Sequence, residues 1–271
     1  MKTQQTQQVT TMENTKTVKT NEKALVVKNL NAFVSQLVPK KQKEKQQYNY
    51  TKGQLLYDVS FSLPRGKICV FIGHNGAGKT TTVKSILGLR PIQSGDISIL
   101  GIDAKKPDSR KNIGYIPEKG NIEKIRAIKF LYDMGAYYGI SKVEVFRQAK
   151  EFLEFFRIPL NRLRVKMNKL SSGQNKVITI FQGFLGNPEL IIADEPTDNL
   201  DPESRDAFYD FIGAYHKKHP TTTFFIITHN LDEVEKYTDY FVCLDHGRIK
   251  YSSNYDRSPG LRKKYRVLRE Q

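Results

Sequence analysis

Apolar residues in this chain come in short, nearly continuous runs separated by polar turns. Lys67–Ile72, Leu190–Asp194, Thr223–Ile227 and Tyr240–Leu244 are runs of this kind. They predict strands of a mostly parallel sheet covered on both faces. Ala24–Asn29, Leu55–Phe61 and Gly95–Gly101 predict further strands, and Asp245–Ile249 a hairpin. The polar segment 38–53 predicts a mobile basic loop. Thr81–Leu87 reads as a helix start, and the stretch around Leu231–Tyr237 is helical in pattern. From Glu123 to Gly186 the period changes: Phe146, Ala149, Phe152, Leu153 and Phe156 share one face at helical spacing. This predicts a helical subdomain over about 119–186, inserted into an α/β core. At 271 residues one large domain with additions is expected. Polar residues 1–23 predict a disordered tail and 253–271 a basic C-terminal tail, leaving 24–252 as the folded domain. No apolar run reaches the roughly eighteen residues that would cross a membrane.

Charge changes the picture only a little. The formal net charge is +16, from 44 Lys and Arg against 28 Asp and Glu. The basic residues are spread out, with clusters at Lys40–Lys45 and Arg262–Arg266. Solvated surface is the plain reading, and attraction to an anionic membrane face is its rival. No recognition motif accompanies the charge, so nucleic acid comes third. Cys69 and Cys243, the two cysteines, lie in apolar runs and read as buried thiols.

The chemistry begins at Gly73, His74, Asn75, Gly76, Ala77, Gly78, Lys79 and Thr80. This octet fits G-x-x-x-x-G-K-[ST] at every fixed position, between an apparent strand and a helix opening at Thr81. The glycines let the backbone curl so that N–H groups point inward, and the helix N-terminus adds partial positive charge. Lys79 is placed to reach β- and γ-phosphates, and the Thr80 hydroxyl to ligate Mg²⁺. A nucleoside triphosphate is the expected ligand.

A second constellation follows. The Leu190–Asp194 strand ends in two acids, Asp194 and Glu195. Beside the phosphate-loop strand, it would deliver Asp194 to a Mg²⁺ shell and Glu195 to an attacking water. His229, after the strand Thr223–Ile227, has two readings: a structural imidazole, or one holding γ-phosphate and water.

Five further segments carry a family resemblance. Leu170-Ser171-Ser172-Gly173-Gln174 resembles the LSGGQ signature of ATP-binding-cassette (ABC) ATPases. Asp194-Glu195-Pro196-Thr197 resembles the family's DEPT ending, Asn199-Leu200-Asp201-Pro202 its D-loop, and Thr228-His229 its switch histidine. Gly114-Tyr115-Ile116-Pro117-Glu118 stands where the Q-loop falls. Order and spacing agree from about Ala24 to Ser252. The resemblance implies a P-loop NTPase core with a mostly parallel sheet, an antiparallel β subdomain and the inserted helical subdomain. It implies an ATPase using ATP and Mg²⁺, with Lys79, Glu118, Glu195 and His229 in catalysis and Thr80, Asp194 and Glu118 around the metal. Two cassettes pair head to tail, so Ser171, Ser172, Gly173, Gln174 and Asp201 would meet nucleotide held by a second copy or a different cassette. Tyr50 is the expected adenine-stacking residue, with Tyr48 or Phe33 as alternatives.

The resemblance also implies a separate integral membrane permease and a place on the cytoplasmic face of the membrane. A soluble ABC ATPase acting on ribosomes or nucleic acid is the alternative. Several positions depart from the family pattern. Ser172 replaces a signature glycine, Glu118 the usual Gln, His74 a frequent Pro, and Val177 the usual Arg beside Lys176. Glu118 resembles the drug, sodium and antibiotic-peptide exporter branch, which favours export.

Overall fold

The computed structural model describes residues 22–39, 48–121, 123–258 and 260–270. In chain order the elements are β1 (Lys23–Pro39), β2 (Tyr48–Pro64), β3 (Ile68–Ile72), α1 (Lys79–Ile86), β4 (Ser94–Ile99), β5 (Ile102–Asp103) and β6 (Ile113–Ile116). Then come α2 (Ala127–Tyr137), α3 (Lys142–Phe155), α4 (Ser172–Gln182), β7 (Leu190–Asp194) and α5 (Pro202–Lys218). The chain finishes with β8 (Thr223–Ile227), α6 (Leu231–Val234), β9 (Tyr240–Asp245), β10 (Arg248–Asn254) and α7 (Leu261–Glu270).

Two sheets organise these elements. A six-stranded sheet has the order β10-β9-β3-β8-β7-β6, parallel except for the β9–β10 hairpin. A four-stranded antiparallel sheet has the order β2-β1-β4-β5. All five residues of β3, β7 and β8 are buried. Their alternate side chains feed two separate cores. Val70, Ile72, Ile191 and Ile226 pack with the helices, whereas Cys69, Phe71, Ile192 and Ile227 pack with the antiparallel sheet and α1. A strand apolar on both faces is what this sandwiching demands. Phe61, Phe71 and Phe225 meet with ring centroids 5.3–5.9 Å apart where the two sheets face each other.

The helical insertion spans α2 to α4. Ser141 caps α3 by accepting from the Glu144 N–H at 3.2 Å. Ala149, Phe152, Leu153 and Phe156 are buried as the spacing predicts, but Phe146 is 40% exposed. It lies at the solvent edge of the apolar stripe.

Three expectations need correction. The 38–53 segment is not a loop throughout: β1 runs to Pro39 and β2 begins at Tyr48, paired across Leu37↔Tyr50 and Val38↔Asn49. Backbone pairing carries these strand ends, and pairing is not visible to hydropathy; 40–47 lie outside the described residues. The stretch 253–271 is not a plain tail either, since β10 continues to Asn254 and α7 follows. Leu261 is fully buried, and Tyr265 and Leu268 pack against the helical core. The i, i+4, i+7 spacing of these three makes the helix amphipathic despite its charge. Thirdly, β7 is not adjacent to β3, because β8 lies between them. Asp194 therefore starts two strand spacings from the phosphate-loop strand, about 10 Å. The residues expected as a disordered start, 1–23, fall outside the described residues up to position 21.

Candidate active site

The phosphate loop joins β3 to α1. Gly78 has φ 109°, a backbone conformation L side chains rarely adopt, and a Cβ there would sit 2.6 Å from Leu56. At Gly73 a Cβ would stand 2.4 Å from the Leu244 carbonyl oxygen, so β9 packs directly on the loop. Lys79 is buried, and its Nζ donates to the carbonyls of Gly73 at 2.7 Å and His74 at 3.3 Å. Burial pulls its pKa below the ordinary lysine value, opposed by the charges of Glu195 and Asp194. The loop is thus closed around its own lysine, ready to exchange two neutral carbonyls for an anion.

Asp194 is buried at the end of β7. Burial, with Glu118 and Glu195 nearby, raises its pKa to about 6, while the Thr80 hydroxyl and Lys79 act in the opposite direction. Its Oδ1 is buried without a hydrogen-bond partner. A buried oxygen left unpaired next to a threonine hydroxyl is what a hard divalent cation or its waters would satisfy. Thr80 and Asp194 therefore fit Mg²⁺; Glu118 contributes its field to that spot.

Glu195 is held from several sides. Its N–H donates to Ile227 O at 2.9 Å. Its Oε2 accepts the His229 N–H at 3.2 Å and lies 2.9 Å from His229 Nδ1. The residue has φ 42°, a left-handed conformation costly for a non-glycine. Burial raises its pKa, with His229 and Lys79 as the opposing charges and Asp198 adding to the rise. The His229 side chain is 59% exposed and tied to Glu195. Glu195, Asp198 and His229 form a cluster with metal-ligand spacing, which does not include the expected Thr80–Asp194–Glu118 set.

Lys176 stands out in the sequence only as the neighbour of Val177. It is 1% exposed on α4. Its ammonium donates to the carbonyls of Pro117 at 2.9 Å, Glu118 at 2.6 Å and Glu195 at 3.1 Å. One side chain thereby joins the 114–118 segment, the helical insertion and the acid pair. Burial lowers its pKa to about 8, against the pull of Asp198, Asp194, Glu118 and Glu195. The visible signal was a lysine directly before the mostly apolar helical run 177–181.

The signature segment lies elsewhere. Ser171 caps α4, its Oγ accepting from the Gln174 N–H at 3.3 Å. Ser171, Gly173 and Gln174 line an open groove of about 610 Å³ together with Asp201 and Glu203 at the start of α5. Asp201 caps that helix, its carboxylate accepting from the Ser204 N–H and Oγ, both at 2.9 Å. Among the described residues no hydrogen bond joins 171–174 to 73–80 of the same chain. Tyr50 lies in β2, where only its backbone is described, so its side chain and that of Tyr48 stay outside the described residues. Phe33 lies in β1, paired with Gln54.

The chain is similar to known proteins in sequence and fold. The ABC transporter family model matches residues 56–198. A putative ABC transporter ATP-binding protein of Mycoplasma pneumoniae is 34% identical over 81% of this chain and 67% of its own length. The Nod factor export ATP-binding protein I of Cupriavidus pinatubonensis is 31% identical over 76% of this chain and 63% of its own length. The zinc import ATP-binding protein ZnuC of Rickettsia bellii is 38% identical over 69% of this chain and 75% of its own. Among solved structures, an ATP-binding subunit of an ABC transporter superposes with TM-score 0.77 at 32% identity, covering 91% of this chain and 99% of that one. A dimeric ATP-binding cassette in a post-hydrolysis state with ADP and Pi superposes with TM-score 0.70 at 20% identity. The fold and the site define an ATP-binding ATPase cassette. The chain belongs to the ABC transporter family.

Proposed function

We propose that this chain binds Mg²⁺–ATP in its phosphate loop, pairs head to tail with a second cassette, and couples hydrolysis to transport through a separate membrane permease. The observation that carries this is the separation of the signature groove from the phosphate loop. Glu195, His229, Asp194 and Lys79 lie in one cluster, and Ser171 to Gln174 open onto another surface. The signature N–H groups at the start of α4 then serve the nucleotide of the partner cassette.

The chain's own groups perform the reaction as follows. Lys79 leaves the Gly73 and His74 carbonyls and binds the β- and γ-phosphate oxygens. Thr80 and Asp194 would hold Mg²⁺, which would supply Lewis-acid polarisation of the phosphoryl oxygens. Glu195 orients a water and accepts its proton as the oxygen attacks the γ-phosphorus, and the bond to the ADP oxygen breaks. His229, bonded to Glu195 in the free chain, fixes that carboxylate and can turn to the phosphate. Lys176 holds the Glu195 backbone in its left-handed geometry. Hydrolysis yields ADP and inorganic phosphate, alters charge at the seam, and lets the pair open.

The helical insertion and the 114–118 segment are the face on which a permease would dock. No helix among the described residues is long and apolar enough to cross a membrane. Export is the proposed direction, on the strength of Glu118; the relatives include both an exporter and an importer. Affinity purification of the chain from solubilised membranes tests the transporter reading. Recovery of an integral membrane protein in fixed ratio supports it. Recovery of ribosomes without such a protein would favour a soluble ATPase instead.

A further inference from the structure

His74 departs from the frequent proline of its family position, and the structure places it in a second cluster behind the phosphate loop. Its Nε2 is buried without a hydrogen bond, 3.3 Å from Asp245 Oδ1. His246 Nε2 lies 4.0 Å from the other carboxylate oxygen, Oδ2. One ligand atom from each of the three side chains falls within 4.8 Å of the others. We propose that His74, Asp245 and His246 bind a borderline divalent transition ion of the Zn²⁺ class, at a site apart from the nucleotide's Mg²⁺.

The hydrogen bonding of His74 supports this. Its Nδ1 lies 2.7 Å from the Asn75 carbonyl oxygen, which can only accept. Nδ1 therefore carries the proton. Nε2 makes no hydrogen bond, although Asp245 Oδ1 lies 3.3 Å away. In the neutral imidazole with its proton on Nδ1, the free lone pair is on Nε2, beside the carboxylate and open to an ion. A ring nitrogen donating to a backbone carbonyl while the other faces outward is the usual second shell of a metal-bound histidine.

Distance and chemistry agree. Zn–N and Zn–O bonds near 2.0–2.1 Å give a tetrahedral edge of about 3.3 Å, the separation already present between His74 and Asp245. Two imidazoles and one carboxylate suit Zn²⁺, Co²⁺ or Ni²⁺, whereas Mg²⁺ prefers an all-oxygen shell. Water completes the fourth position.

The scaffold is in place. The Gly247 N–H donates to Ala77 O at 3.0 Å, and the Tyr57 N–H to Gly247 O at 2.8 Å. The 245–247 turn is thus fastened to the phosphate loop and to β2. Only the exposed His246 ring, 4.8 Å from the His74 ring, has to swing. A bound ion would brace the first turn of the phosphate loop against the β9–β10 hairpin. The proposal stands whether or not the chain works with a permease.

The test is metal titration of the full chain, stripped of metal and held in excess Mg²⁺ without nucleotide. Zn²⁺ is followed by competition with a chromophoric chelator and Co²⁺ by its visible absorption. One equivalent of Zn²⁺ is expected, and the intense Co²⁺ bands of a four-coordinate site. His246→Asn keeps a residue that tolerates the left-handed backbone at φ 44° and should weaken binding by about tenfold or more. His74→Gln should do the same, and His229→Ala should leave binding unchanged. A thermal melt of each variant verifies folding. Absence of one-to-one binding overturns the proposal. So does unchanged affinity in folded His246→Asn, or loss of binding in His229→Ala, which would put the ion at Glu195 and Asp198.

Discussion

Lys176 donates its ammonium to the backbone carbonyl of Glu195 across 3.1 Å. The same nitrogen holds the carbonyls of Pro117 and Glu118. A buried lysine thus ties the segment expected to face a permease to the acid expected to activate water. Replacement by Met fills the volume but leaves three buried carbonyls without this donor. Each orphaned group costs roughly 1–3 kcal/mol. Lys176→Met should lower the thermal midpoint and reduce ATP turnover more than ATP affinity. Denaturation and steady-state ATPase assays check this, and a variant with wild-type stability would refute the linkage.

Asp194 makes an opposite prediction for stability. Its pKa is raised to about 6 by burial and by the charges of Glu118 and Glu195. A carboxyl group whose folded pKa exceeds its unfolded value contributes stability at pH below the unfolded pKa. That contribution is lost as pH rises through about 6. At neutral pH without nucleotide or metal, Asp194→Asn should therefore raise the stability, by roughly 2–3 kcal/mol at most, and the midpoint with it. The same variant should lose the stabilisation that Mg²⁺–ATP gives the parent chain. Melting curves with and without Mg²⁺–ATP at two pH values read both effects.

Lys79 sits between two backbone carbonyls in the free chain. Lys79→Ala should abolish ATP binding or turnover while leaving the secondary structure intact. Fluorescent nucleotide titration measures the first and circular dichroism the second. Retained turnover would remove Lys79 from the reaction.

Asp201 caps α5 through two bonds to Ser204. Those bonds hold its pKa below the ordinary aspartate value. The contribution is present above the unfolded pKa and fades as pH falls through the depressed one. Asp201→Ala should cost about 1 kcal/mol. Its effect on ATPase should exceed what that loss explains, because the groove beside the signature changes shape. Activity at equal folded fraction separates the two.

Much of the site was legible because its chemistry is local. The phosphate loop needs consecutive residues in order, and Asp194 and Glu195 follow an apolar strand directly. What stayed hidden depends on pairing across the chain. The outer ends of β1 and β2 are joined by backbone bonds, which hydropathy does not register. Helix α7 spaces Leu261, Tyr265 and Leu268 correctly, but five basic residues in 262–269 masked the pattern. Lys264 is one of them, and its Nζ lies 5.0–6.0 Å from the ring centroids of Phe241, Tyr251 and Tyr255. The place of β8 between β3 and β7 is topology, which no single strand encodes.

Glu195 is the proposed general base of a site shared between two cassettes. Glu195→Gln keeps the shape of the side chain and removes the base. Sedimentation and ATP turnover should be measured on this variant with Mg²⁺–ATP. The account predicts an ATP-dependent dimer and hydrolysis slowed by orders of magnitude. Wild-type turnover, or a chain that binds ATP tightly yet stays monomeric, would contradict it.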